Sequence, residues 1–397
     1  MCNFVPGEVI AIGPVNALQQ IGEGLPGIRS AVRPIISEIG NFPQVSPLIG
    51  IGSLTLKTDP GVELYAASRM SARLAGVIEH GDAIVDLNHM LPLSSPESIT
   101  DLSFRLSAHA EREAASIRRV LREALTPVTD GRHPRRVGVL DSGLLSTYTP
   151  HRDVHYFDYS AAGQLTLDAT YDDPLGHGTR VVSILDQILP PDVELSVGRL
   201  PSQSGSLTAL TLAHAFGDLV AREAPEVVNV SVSPRNDWFI CPSCRQRVNA
   251  PTFLSGFLPL LIRLGGKNIE RTVTVMAAGN TGQIPNSRWL SEDIETLLFA
   301  VGENRSGNRA RYSSAPDGPL ADLFSAGAFG GDDPDEKDSE GVFMDGGHGT
   351  SYAAPFISAA ALLSKQFPAP PLHGFPTRIG QFTRNLIETA RSGAPLR

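Results

Sequence analysis

The strongest constraint on the fold is a series of short apolar runs in the later two thirds of the chain. The runs VGVL, VVNVSV and TVTVMAA begin at residues 137, 227 and 272, and helical segments separate them. Apolar, β-branched runs of this kind are typical of strands that are buried on both faces of a parallel sheet. Helices between such strands indicate βαβ units. The pattern therefore predicts an α/β fold with a mostly parallel central sheet.

A change in sequence pattern near residue 130, after which short apolar runs alternate with helical segments, indicates a domain boundary. The 397 residues suffice for one large domain and a smaller one. The polar segment TPVTDGRHPRR, residues 126–136, indicates a linker, so we divide the chain into an N-terminal region, 1–130, and a second domain, 131–397. Just before the linker, Ser94-Ser95-Pro96 predicts the start of an amphipathic helix that runs to Leu125.

Composition argues against several classes of partner and compartment. The net charge of −9 disfavours nucleic acid and anionic membranes as partners. No apolar run reaches the length of a membrane span, so we expect no membrane insertion. The three cysteines form no disulfide framework, and the first 15 residues lack the basic and apolar regions of a secretory signal. These features predict a cytoplasmic protein.

Four polar residues stand where an apolar segment meets a turn. Asp141 ends the run VGVL, His177 lies in the turn Leu-Gly-His-Gly-Thr before an apolar helix, Ser351 begins the helix after Gly-Thr, and Asn280 ends VMAAGN. Active sites gather at the carboxyl ends of strands, and the free N–H groups of a helix start stabilise negative charge. Each residue alone also fits an ordinary role: a turn Asp, a structural His, an N-cap Ser or a turn Asn.

Taken in order, the motifs VGVLDSG, GHGTRVVSIL, VMAAGN and GTSYAAP resemble those of the subtilase family of serine proteases. The resemblance covers residues from about 131 to the end. It implies a three-layer α/β fold with a mostly parallel central sheet flanked by helices, beside which we expect a smaller N-terminal α+β region. It also implies an Asp141–His177–Ser351 triad, with Ser351 as nucleophile and Asn280 as an oxyanion donor.

The strand expected to line the substrate departs from the family pattern. By resemblance, Ser231, Val232, Ser233 and Gly279 bind the substrate. The family usually has Leu-Gly-Gly after the Ser, whereas Val-Ser-Pro follows Ser231 here. Bulkier side chains and a proline change the wall of the specificity pocket and remove a backbone donor. We therefore expect a serine endopeptidase of restricted specificity acting on a protein or peptide; the alternative is a regulated or catalytically silent subtilase fold that acts by binding a partner.

The N-terminal region has two interpretations. Residues 1–130 are either an inhibitory prodomain that is cleaved at the 126–136 linker or a permanent docking or regulatory domain that binds a partner. The absence of a secretion signal favours the second interpretation.

Two side features indicate neither a metal nor a cofactor. Cys241-Pro-Ser-Cys244 has metal-ligand spacing but no second such pair, so we interpret it as an insertion loop without metal. The acidic segment 332–338 lacks the ligand register of a calcium loop, which favours a solvated loop.

Overall fold

The computed structural model describes most of the second domain and parts of the N-terminal region. The described residues are 4–23, 30–34, 51–57, 84–89, 91, 102–125, 134–161, 164–166, 169–202, 207–232, 239–240, 247–248, 272–282, 296–315, 325–365 and 379–394.

The strands are β1 Phe4–Pro14, β2 Ser30–Pro34, β3 Ile51–Lys57, β4 Ile84–His89, β5 Arg135–Asp141, β6 Val154–Ala161, β7 Gln164–Thr166, β8 Val193–Arg199, β9 Val227–Val230, β10 Phe239–Ile240, β11 Arg247–Val248, β12 Val273–Ala277, β13 Leu297–Glu303 and β14 Ser325–Phe329. The helices are α1 Val15–Glu23, α2 Ala108–Ala124, α3 His177–Ile188, α4 Ala209–Glu223, α5 Thr350–Ala361, followed by a 3-10 turn at Leu362–Lys365, and α6 Ile379–Ser392. None of these helices is both long and apolar enough to cross a bilayer.

An eight-stranded sheet forms the centre of the larger domain, in the order β14-β13-β12-β9-β5-β8-β6-β7. All neighbours are parallel except β6 and β7. Every residue of β9 and β12 is buried, as expected for inner strands with helices on both faces. The predicted mostly parallel α/β fold is confirmed.

The two faces of this sheet belong to two separate apolar cores. Alternate side chains of β5 point to opposite sides: Val137 and Val139 join one core, and Leu140 joins the other. Helices α2, α3, α5 and α6 cover the first face, whereas α4 covers the second. The result is the predicted three-layer arrangement.

Helix α2 begins later than the sequence predicts. Residues 102–107 are not helical, and Ser107 caps the helix by accepting a hydrogen bond from the Ala110 N–H. The stretch before the cap instead pairs with a loop, because Leu106 forms an antiparallel bridge with Phe343. The helix also shares the first apolar core with α3 and α5. The division at residue 130 stays a prediction, and the helix before it packs with the large domain.

A four-stranded antiparallel sheet, in the order β2-β3-β1-β4, lies in the N-terminal region together with α1. It contacts the second face of the large domain through α4. The Ser53 hydroxyl lies 2.8 Å from Nε2 of His214, and Asn88 Oδ1 accepts a hydrogen bond from the Leu210 N–H near the start of α4. This is the predicted smaller α+β region.

Asp186 anchors helix α3, the helix that begins at His177. Its fully buried carboxylate accepts hydrogen bonds from the His151 backbone N–H and from the side chains of Arg152 and Tyr148. Burial acts to raise the pKa of Asp186, but donation from His151 and Arg152 outweighs it and holds the pKa below its ordinary value. The charged form therefore stabilises the fold.

We expect Asp186→Asn to lower the free energy of unfolding by about 3 kcal/mol at neutral pH, because it leaves buried Arg152 without its counter-charge. Denaturant unfolding measures this loss. A carboxylate with a lowered folded-state pKa contributes its stability above the unfolded pKa and loses it as the pH falls through the folded one. The difference from wild type should therefore shrink in acid. Exposed Asp192→Asn, with the same charge change, is the control; an equal effect of both variants contradicts this role.

Candidate functional site

The four residues singled out in the sequence lie at one edge of the central sheet. Asp141 is the last residue of β5, and Asn280 follows the end of β12. His177 is the first residue of α3, and Ser351 is the second residue of α5. Carboxyl ends of parallel strands share an edge, so the topology brings residues that are far apart in sequence to one place.

Asp141, His177 and Ser351 form one continuous chain of hydrogen bonds. His177 Nδ1 lies 2.8 Å from Asp141 Oδ1, and His177 Nε2 lies 2.9 Å from Ser351 Oγ. A carboxylate only accepts, so Nδ1 of the neutral imidazole carries the proton and Nε2 is free to accept from the serine. The three residues are buried, with exposures of 0%, 1% and 5%. The structure thus brings the predicted triad together, while its catalytic roles stay a prediction.

Gly178 permits the close approach of the Asp-bearing turn to the His-bearing helix. A Cβ at this position would lie 2.4 Å from the carbonyl oxygen of Gly143 and 3.2 Å from Cβ of Asp141. Any side chain would therefore push the turn after β5 away from α3. The glycine that follows the histidine in the motif is explained by this contact.

Asp173 is a buried residue of the site that the sequence analysis missed. Its Oδ1 accepts from the Ser142 hydroxyl at 2.7 Å and from the Gly176 N–H at 2.9 Å. Its Oδ2 accepts from the N–H and hydroxyl of Thr179, at 2.8 and 2.7 Å. One carboxylate therefore holds the turn after Asp141 and both sides of the histidine. The signal was present in the sequence, since an Asp before a Pro- and Gly-containing turn commonly binds backbone N–H groups.

Asn280 is oriented by the residue next to the serine. Its Oδ1 accepts from the N–H and the hydroxyl of Thr350, at 2.8 and 3.0 Å. The opposite end of the amide, Nδ2, then faces the serine: a Cβ built on Gly349 would lie 2.9 Å from Asn280 Nδ2 and 3.3 Å from Ser351 Oγ. Gly349, with φ of 153°, leaves this space open. An amide donor and the serine hydroxyl thus flank the same small volume.

The predicted substrate-binding residues are placed unequally. Ser231 and Val232 are buried, and the Ser231 hydroxyl contacts the Ser351 carbonyl oxygen at 3.4 Å. Gly279 is also buried, and its N–H donates to the Thr350 hydroxyl at 3.0 Å. Ser233 lies outside the described residues. The side chain of Ser231 thus contacts the first turn of α5, and the role of these four residues in substrate binding stays a prediction.

The acidic segment is held by arginines. Asp332 pairs with the Arg305 Nε at 2.5 Å, and Asp333 accepts from the Arg311 N–H at 2.7 Å and pairs with its side chain. Within the part of the chain that the structure describes, no three His, Cys, Asp or Glu side chains are grouped to hold a metal ion. Cys241 and Cys244 lie outside the described residues.

Comparison with protein families gives one match, which covers most of the larger domain. A model of the subtilase family matches residues 135–391. No curated protein matches the chain.

Solved structures add three similar proteases. The serine protease of Aeromonas sobria, solved in complex with its chaperone, is 19% identical with a TM-score of 0.37, and the match covers 59% of this chain and 47% of that one. The subtilisin-like protease Apa1 of Pseudoalteromonas sp. AS-11 is 14% identical with a TM-score of 0.32, over 50% and 41% of the two chains. The CspB protease of Clostridium perfringens is 13% identical with a TM-score of 0.38, over 68% and 99%. The match thus spans less than half the length of the first two.

We expect Thr350→Val to slow the reaction of Ser351 with a fluorophosphonate probe by up to about 10²-fold, because the valine keeps only the backbone N–H of the two donors that orient the Asn280 amide. It also leaves the buried Gly279 N–H without its acceptor, which should cost about 1–3 kcal/mol of stability. Thr350→Ser keeps the hydroxyl and is the matched control. Equal labelling rates for the valine and serine variants contradict this account.

Proposed function

Because this chain belongs to the subtilase family, we propose that it is a serine endopeptidase that cleaves peptide bonds through an acyl-enzyme. The observation that carries the proposal is the unbroken hydrogen-bond chain from Asp141 through His177 to Ser351. A serine hydroxyl is a weak nucleophile unless a base lies within hydrogen-bond reach. Here the base lies at 2.9 Å, and a third group orients it.

In the first half of the reaction, Ser351 Oγ attacks the scissile carbonyl carbon while His177 Nε2 takes the hydroxyl proton. The imidazolium then gives that proton to the leaving amine, which frees the C-terminal part of the substrate and leaves an ester on Ser351. A water molecule attacks the ester in the second half, with His177 again as base. Asp141 holds the Nδ1 proton and stabilises the imidazolium without becoming protonated.

The carbonyl oxygen becomes negatively charged in each tetrahedral intermediate. Asn280 Nδ2 and the backbone N–H of Ser351 are the donors for this oxyanion. Ser351 is the second residue of α5, where a backbone N–H has no intrahelical acceptor and where the helix dipole favours negative charge. Thr350 aims the amide before substrate arrives, so little reorganisation accompanies the charge.

Loss of Ser351 tests the proposal directly. The purified protein should react with a fluorophosphonate probe and cleave a mixture of peptides, whereas Ser351→Ala should do neither. N-terminal sequencing of both proteins shows whether the chain cuts itself, because a self-made cut is absent from the alanine variant. Cleavage that persists in Ser351→Ala contradicts the assignment. No labelling of either intact or N-terminally trimmed wild type favours the silent alternative.

We expect Asn280→Ala to lower kcat by about 10²–10³-fold with little change in KM, because the donor acts on charge that develops only in the transition state. Steady-state cleavage of a chromogenic peptide separates the two constants. Asn308→Ala, at an exposed position in the turn after β13, is the control. A rise in KM without a fall in kcat would assign Asn280 to ground-state binding instead.

The N-terminal region is proposed to regulate this activity from its position on α4. Besides the contacts of Ser53 and Asn88, the Leu91 N–H donates to the Leu207 carbonyl at 2.9 Å, just before α4 begins. Ile10 and Leu91 also join the second apolar core. If only trimmed protein reacts with the probe, the region is an inhibitor. The restricted specificity and the cytoplasmic location stay predictions.

A further inference from the structure

Two aromatic rings lie behind the imidazole of His177. The ring of Tyr352 lies 5.0 Å from that of His177, centroid to centroid, at 37°. Phe343 meets Tyr352 edge-on, at 5.5 Å and 81°. Tyr352 and Phe343 are both buried. Such pairs favour one mutual geometry, so the position of the imidazole depends on the ring of Tyr352 and, through it, on Phe343.

A buried cation holds the second ring. Arg180, three residues after His177 on α3, is only 4% exposed, and its guanidinium lies 4.8 Å from the centroid of Phe343. Arg180 also forms an ion pair with Asp345. The guanidinium and both rings converge on Gly347, since a Cβ built there would lie 3.1 Å from Phe343, 3.3 Å from Tyr352 and 3.5 Å from Arg180.

A segment just before helix α2 contacts the residues around Arg180 and Phe343. We call residues 102–107 the strap. The Ser103 N–H donates to the same carboxylate oxygen of Asp345 that faces Arg180, at 2.8 Å. Two backbone hydrogen bonds, of 2.9 and 3.0 Å, tie the rest of the strap to the loop that leads to Ser351. At its start, Leu102 fills the space beside Gly176, the residue before His177.

We propose that Arg180 and Asp345 are positioning residues for His177, and that the strap holds Asp345 where it pairs with Arg180. The inference rests on the proposed peptidase function and deepens it. Arg180 fixes Phe343 and thereby the ring on which the imidazole rests. Asp345 keeps Arg180 in place through their ion pair, one helical turn from the base.

The charge of Asp345 also has a consequence for catalysis. His177 becomes positively charged in the transition state, so the loss of a nearby negative charge opposes that step. Among the described residues, Asp141 from β5 and Tyr352 from α5 contact the imidazole directly. Asp173 from the turn before α3, Arg180 from α3 and Asp345 from the loop before α5 contact the groups that surround these residues. In this set Arg180 is the cation, and Asp345 is an anion that pairs with it.

The test is a double-mutant cycle on the full chain. Asp345→Asn should lower kcat by about 10- to 100-fold, with KM changed less than about twofold, because the base is displaced and a negative charge near it is lost. The acidic limb of its kcat/KM profile should move down by about 0.5–1 pH unit. Adding Arg180→Met removes the cation, so the imidazole should regain its basicity, but kcat should stay low because Phe343 has lost the guanidinium that fixes it.

Asp335→Asn, an exposed acid-to-amide change in the neighbouring loop, is the control and should match wild type. Histidine NMR gives a reading that needs no turnover: the pKa of the His177 imidazole should fall in Asp345→Asn and return in the double variant. An unchanged kcat and imidazole pKa in Asp345→Asn overturn the inference. So does a double variant with the wild-type kcat, because the loss of Arg180 would then have no effect on the position of the base. A wild type without labelling or cleavage contradicts the proposed function instead, and the NMR measurement then decides this inference.

Discussion

The complete burial of helix α5 is the constraint on which the site depends. All of its residues from Thr350 to Ala361 are buried, and the helix contacts β9, β12, β13, β14 and α3. A helix that is apolar all round is stable only inside a core. Its N-terminus cannot move without disturbing packing on every side, since protein interiors are close-packed. Ser351 is therefore positioned by the same apolar contacts that hold the larger domain together.

Buried hydrogen bonds fix the positions of the site residues within that rigid framework. Asn229, within the buried strand β9, donates to Ser231 and accepts from Ser358 on α5, at 2.7 and 3.0 Å. Asp173 accepts hydrogen bonds from the two segments that bear Asp141 and His177 and so links them. Buried polar groups cost free energy unless they are satisfied, so each of these networks admits few alternative arrangements. The triad lies where the two networks and the buried helix meet.

Much of this arrangement could be predicted from local sequence. The part that could not be predicted consists of contacts between residues that are far apart in the chain. The apolar runs predict the central sheet because a strand buried on both faces needs such a run, and four short motifs predict Asp141, His177, Ser351 and Asn280. The helix expected from Pro96 was misplaced over residues 102–107, because the pairing of this segment with residues 342–346 joins distant parts of the chain. Arg180 and Asp345 gave no signal for the same reason, since they are 165 residues apart.

The packing of helix α2 has a consequence for where the larger domain begins. Ile117, Val120 and Leu121 are buried against the core that also contains α3, α5 and α6. A chain shortened to start at residue 131 would lack this helix and expose a broad apolar surface beside the segment that bears His177. Such surfaces drive self-association in water. If a chain of this fold were cut within residues 126–136, the predicted linker, the released piece would have to stay bound as a non-covalent complex for the rest to remain folded and dispersed.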